Sequence, residues 1–149
     1  MSTGRSELHR HLDADVLTFG TTARVERLNK ADTLTTISKQ MPNRNEGTDF
    51  DLVFETLQKP YDRIFILSDE QAWVGYSTPA RTGSLAAYKS VAKADPHVWS
   101  IDLRGYGTLQ FPEHRVYALA GFSEKMFDIM PLMEAGPDGL VRSIEAVEL

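Results

Sequence analysis

The chain has no cysteine. That absence excludes disulfides, thiolate metal sites and a cysteine nucleophile. Long apolar runs are missing too. None approaches the ~18 residues that a membrane span requires, and Met1 to Arg10 lacks the apolar core of a signal peptide. The expected compartment is the cytoplasm, with no membrane partner. Positive charge is in deficit, with 16 Lys and Arg against 21 Asp and Glu and a net charge of −5. A chain of this sign does not hold a phosphate backbone through its overall field, and DNA is not an expected partner. There is no internal repeat and no low-complexity tract. What is present is a globular balance, 42% hydrophobic and 25% charged over 149 residues. That length buries roughly two-thirds of the unfolded surface of one domain.

Read along the chain, residues 1–12 are a loose start or the remnant of a first helix, and 13–149 form one domain. Val16, Leu17 and Phe19 are bulky and apolar, Gly20-Thr21-Thr22 makes a turn, and Ala23 to Arg27 alternates. Leu34 and Ile37 stand at helical spacing, with Asp32 as the expected N-cap. Phe50, Val53, Phe54 and Leu57 fall at i, i+3, i+4 and i+7, one helix face stopped by Pro60. Arg63 to Ser68 is nearly continuous apolar sequence, as in a strand buried on both faces of a parallel sheet. Ser84 to Lys93 reads as a helix with Leu85, Tyr88 and Val91 inward. Val98 to Leu103 and Val116 to Leu119 are further strands. Ser123 can cap a helix carrying Met126, Ile129, Met130 and Met133, and Pro131 argues against that helix being regular throughout. Gly136-Pro137-Asp138-Gly139 reads as a turn, and the tail beyond it is ambiguous. Strands alternating with helices predict an α/β fold, a doubly wound and mostly parallel sheet with helices on both faces.

In such sheets ligands gather outside the carboxyl ends of the strands. Gly47-Thr48-Asp49 opens the helix from Phe50. Asp69 and Glu70 follow the strand ending at Ser68. The intervening helix and strand put Thr48 and Asp69 on one rim. A threonine hydroxyl and a carboxylate are oxygen ligands for a hard cation, with waters and an external carboxylate completing the shell. The same residues also suit helix and turn capping, Thr48 or Asp49 at the helix start and Asp69 after its strand.

The stretch Glu46-Gly47-Thr48-Asp49, a helix, then Asp62 to Glu70 resembles the second and third metal loops of a von Willebrand factor A (vWA) domain. More narrowly, with Leu119-Ala120-Gly121-Phe122-Ser123 and the helix after it, the chain resembles the C-terminal A-type domain of the Ro family of ring-shaped RNA-binding proteins, the TROVE-domain proteins. The resemblance covers roughly Asp13 to Met133. It implies a metal-ion-dependent adhesion site (MIDAS), with Thr48 and Asp69 as metal ligands and Asp49 and Glu70 behind them. The implied cofactor is a divalent cation, Mg²⁺ in the first instance.

The sequence departs from that family at one place. A-type domains begin with a central strand ending in Asp-x-Ser-x-Ser, which supplies the anchoring ligands, and no such motif occurs here. The expectation is an N-terminally incomplete vWA-like, Rossmann-like domain that binds metal weakly. Its missing strand would leave two apolar edges with unpaired backbone groups. The resemblance implies no enzyme, but a component of a ribonucleoprotein that works with exoribonucleases in RNA quality control. Small noncoding RNA would be held by the helical-repeat region that precedes this domain in the family, and a protein partner would meet the metal rim. The alternative is a stand-alone A-type scaffold domain with no RNA role.

Other patterns are weaker. Gly105-Tyr106-Gly107 follows a strand, but Gln110 stands where a third glycine would, so a turn explains it better than a dinucleotide site. His9 and His11 point to different faces of a helix and have no third histidine near. No Gly-x-Ser-x-Gly is present, and Ser84, His97 and Asp102 form a triad only on paper. Asp69 with Glu70 as an acid/base pair would make a small hydrolase or transferase. Trp73 and Tyr76 are either contact aromatics beside the rim or plugs of the sheet end. Arg81, Arg104 and Arg115 would face RNA only if they shared a surface.

Overall fold

Apolar residues at alternate positions make the strands, and their parity decides which face each side chain takes. In the computed structural model, which describes residues 14–29, 31–41, 49–68, 84–103 and 114–146, β1 (Val16–Phe19) and β2 (Ala23–Glu26) form an antiparallel hairpin. β3 (Arg63–Ser68), β4 (His97–Asp102) and β5 (Val116–Ala120) form a parallel sheet in that order. Five helices join them among the described residues: α1 (Leu34–Gln40), α2 (Asp51–Thr56), α3 (Ser84–Ala92), α4 (Met126–Glu134) and α5 (Pro137–Glu145). The protein is a mixed α/β fold.

The chain divides into two compact units, Met1–Pro60 with Gln71–Ala94, and Tyr61–Glu70 with Asp95–Leu149. In the first, the Phe19 ring lies 5.5 Å from that of Phe50, and the Asp49 N–H donates to the Gly20 carbonyl at 3.1 Å. The hairpin turn is thereby tied to the start of α2. Phe50, Val53 and Phe54 are buried, as the i, i+3, i+4 spacing predicts. The helix ends at Thr56, before Pro60, because Leu57 already turns extended. α3 packs on α2, with Leu85 and Tyr88 buried and the Tyr88 ring 6.4 Å from that of Phe54; the Tyr88 hydroxyl donates to the Lys59 carbonyl, just beyond α2, at 2.7 Å. Val91, expected inward, is 82% exposed. It lies one turn beyond Tyr88 at the frayed end of α3, where Lys93 leaves the helix with φ 51°. The cap of α1 also differs from expectation: the Thr33 hydroxyl, not Asp32, accepts the N–H of Thr36.

In the second unit, register pairs set the faces. Ile64, Ile66 and Ser68 share one face with Val98, Ser100 and Asp102, and all six are buried. The other face carries Leu67, Trp99, Ile101, Tyr117 and Leu119, against which α4 sets Met126, Phe127, Met130 and Met133. Pro131 sits inside α4 without breaking it. Proline deletes one backbone donor, and the methionine face packed on the sheet offsets that loss. Gly136, expected in a turn, is instead the N-cap of α5, with φ 82° and Pro137 at the first helical position.

Candidate functional site

β3 and β4 end side by side, with Ser68 opposite Asp102. Ser68 is 9% exposed, Ser100 1% and Asp102 1%. These are the three buried polar residues among the described positions, and they share one face at the carboxyl end of the parallel sheet. A carboxylate is taken out of water only when other groups stabilise it, and Asp102, Ser68 and Ser100 are each engaged by further interactions. Their backbones lock the rim as well: the Ser68 carbonyl accepts the Leu103 N–H at 2.9 Å, and the Asp102 carbonyl accepts the Gly121 N–H at 2.7 Å. Sequence reasoning passed over this group. Its signal was the parity of Ser100 and Asp102 in an otherwise apolar strand.

Of the expected metal-site residues, Thr48, Asp69 and Glu70 lie outside the described residues, as do Trp73, Tyr76, Arg81, Arg104 and the Gly105–Gly107 turn. Asp69 is the residue after Ser68, the last of β3. Asp49 is described, and its carboxylate serves the fold: Oδ1 accepts the Asp51 N–H at 3.0 Å and steadies the first turn of α2. Among the described residues no three His, Asp or Glu side chains gather to hold a cation.

The paper triad does not assemble. The Ser84 hydroxyl bonds to Asp51 Oδ1 at 2.7 Å. His97 and Asp102 are the first and last residues of β4, about 17 Å apart at the rise of a strand. His97 instead belongs to a cluster at the opposite end of the sheet. Its ring stacks on Tyr117, centroids 5.8 Å apart, and Nδ1 lies 3.1 Å from the Tyr117 hydroxyl. Tyr117 stacks in turn on Trp99 at 4.2 Å. The Trp99 indole N–H donates to Glu134 Oε1 at 3.0 Å, and the Arg63 guanidinium grips both oxygens of the same carboxylate. The hydrogen bond from Arg63 holds Glu134 below the usual carboxylate range, and burial lowers His97 and raises Tyr117. The arrangement of this cluster fastens the end of α4 to the amino ends of β3 and β4.

Arg115 is engaged by its neighbour Asp95. Its Nη1 lies 3.2 Å from the Asp95 carboxylate and donates to the Asp95 carbonyl at 2.7 Å. No helix among the described residues is long and apolar enough to cross a membrane. No protein-family profile, curated protein or solved structure matches the chain.

Proposed function

We propose that the chain is the metal-site, vWA-like portion of a Ro/TROVE-like ribonucleoprotein component. In that reading it is a non-enzymatic interaction module acting in noncoding RNA quality control. One observation carries the proposal. A hairpin, two helices and then parallel strands follow one another in the chain, in the order expected for a doubly wound A-type sheet after its first strand. The motif missing from the sequence, Asp-x-Ser-x-Ser, is the one that strand would carry. Asp69 directly follows β3 at its carboxyl end, where ligands of parallel sheets gather. Thr48 directly precedes the first residues of the α2 start. These two would hold a Mg²⁺ ion through their oxygens, weakly, since Mg²⁺ gives up its waters reluctantly. Helices on both faces of the sheet, cytoplasmic residence and RNA contact through a preceding helical-repeat region belong to the same proposal.

The net charge of −5 disfavours contact of this chain with an RNA backbone and so favours a second reading, a stand-alone A-type domain with no RNA role that binds a protein partner through the cation. One experiment separates the two. The tagged protein is recovered from its own cells and its companions are identified. Small structured RNA that is released by ribonuclease supports the first reading. A protein partner whose capture needs Asp69 and divalent cation, with no RNA, selects the second. Neither companion removes both.

A further inference from the structure

The outer edge of β3 is a pairing surface. The His97 N–H donates to the Asp62 carbonyl and the Leu103 N–H to the Ser68 carbonyl. In a parallel ladder this phase turns the backbone groups of Asp62, Ile64, Ile66 and Ser68 toward β4. The N–H and C=O groups of Arg63, Phe65 and Leu67 therefore point to the other side. They have no partner strand among the described residues, because β3 pairs with β4 alone. A row of alternating donors and acceptors at strand spacing is matched by one kind of occupant, another extended strand.

Within the strand itself the sequence devices that blunt an edge are missing. β3 has no proline, glycine or lysine. Its one charge, Arg63, is committed to Glu134. Phe65, at the middle of the row, leaves 37% of its surface in water. The opposite edge differs. Bonds from Val98 to the Arg115 carbonyl and from Gly121 to Asp102 turn Val116, Ala118 and Ala120 outward on β5, and two of these are alanines with little to bury.

We propose that β3 pairs with β3 of a second copy of this chain, antiparallel across a two-fold axis at Phe65. The strand is its own complement. In that register Phe65 faces Phe65, Ile64 faces Ile66 and Arg63 faces Leu67, so apolar groups meet apolar groups over the centre. The pairs at Phe65 and at Arg63–Leu67 exchange both of their backbone bonds, using the very groups left open. Such an isologous contact closes after two copies. The inference is independent of the metal reading, since it uses only the sheet edge.

Sedimentation of the full chain over a range of concentrations tests it. The expected result is a monomer–dimer equilibrium, abolished by Phe65→Lys and unmoved by Ala118→Lys on the other edge. Hydrogen exchange of the unaltered chain gives a readout that needs no variant. The Phe65 and Leu67 amides become protected as concentration rises, while those of Val116 and Ala118 do not. A chain that stays monomeric overturns the proposal, even if the edge then accepts a strand from another protein. So does a dimer that survives Phe65→Lys, or one that leaves Phe65 exchange unchanged.

Discussion

The Trp99 indole and the Glu134 carboxylate, 35 residues apart in sequence, are joined by a 3.0 Å hydrogen bond at the amino end of the parallel sheet. Trp99 is fully buried on β4. Its N–H is the one polar atom of that side chain, and Glu134 satisfies it while also taking the Arg63 guanidinium. The last turn of α4 is anchored by this carboxylate.

Glu134→Gln is therefore expected to cost about 1–3 kcal/mol, chiefly by weakening a buried, charge-assisted hydrogen bond. The ion-pair share is smaller, because the Arg63 side chain is 53% exposed and screened by water. Urea unfolding measures the change. A loss no larger than that of a substitution at exposed Glu124 would refute the anchoring role.

Stability is expected to fall on acidification in two stages. His97 is held below its ordinary 6.5, first by burial, with Arg115 and Arg63 adding to the effect and Glu134 and Asp95 opposing it. Glu134 is held below its ordinary 4.5, first by the Arg63 hydrogen bond, with burial opposing and Trp99 helping. In both cases the unfolded chain takes up protons more readily than the folded one, so acid favours unfolding. The His97 contribution is present above the ordinary imidazole value and lost as pH falls through the lowered one. The Glu134 contribution goes later, through its own lowered value. Tm measured against pH should lose its upper stage in His97→Gln and its lower stage in Glu134→Gln. A Tm that climbs as pH drops from neutrality would contradict the His97 assignment, and one that climbs on further acidification the Glu134 assignment.

Gly136, which caps α5, and Gly139, in its first turn, should respond to alanine for different reasons. Gly136 has open space around it but a φ of +82° with extended ψ, a conformation almost closed to L side chains. Gly136→Ala should cost about 1–3 kcal/mol through backbone strain. Gly139 is helical, and a Cβ there would stand 2.6 Å from the Ala135 Cβ and 2.9 Å from the Leu132 carbonyl oxygen. Gly139→Ala should cost a similar amount, about 1–3 kcal/mol, through overpacking. Pairing it with Ala135→Gly should recover part of the loss for Gly139 and none for Gly136.

On α3 one turn separates a structural residue from an idle one. Tyr88→Phe removes the bond to the Lys59 carbonyl and should cost about 0.5–1.5 kcal/mol. Val91→Ser, at a site 82% exposed, should stay within about 0.5 kcal/mol of the parent. Equal losses at both positions would mean that Val91 is covered in solution.

Calorimetry with Mg²⁺ or Mn²⁺ tests the ligand pair. Weak binding is expected, abolished by Thr48→Ala and by Asp69→Ala. Asp49→Ala should leave the binding in place and lower stability instead, because the Asp49 carboxylate caps the Asp51 N–H. Tight binding indifferent to Thr48 and Asp69 would place the cation elsewhere.

Local chemistry made most elements legible. The hairpin at Val16–Glu26 and the strand at Arg63–Ser68 follow from alternation, turn residues and an apolar run, signals carried within a few residues. α2 followed from one apolar face, although its end came early. The helix Pro137–Glu145 was missed because a Gly-Pro pair reads equally as a turn and as a cap followed by the first helical residue. The regularity of α4 was missed because Pro131 forbids a local bond, while Met126, Met130 and Met133 gain burial on a sheet that is distant in sequence.

By itself the sequence determined parity, and with it which side chains share a face: Ser100 with Asp102, and His97 with Trp99. It also determined the absence of cysteine chemistry and the order hairpin, helix, strand. Only the tertiary structure decided that Arg63 and Trp99 converge on Glu134, that Asp102 is buried, and that β3 pairs with β4 alone among the described strands. Those outcomes depend on pairing between segments tens of residues apart. Register and burial across such distances are set by packing the whole unit, and no local window of residues encodes them.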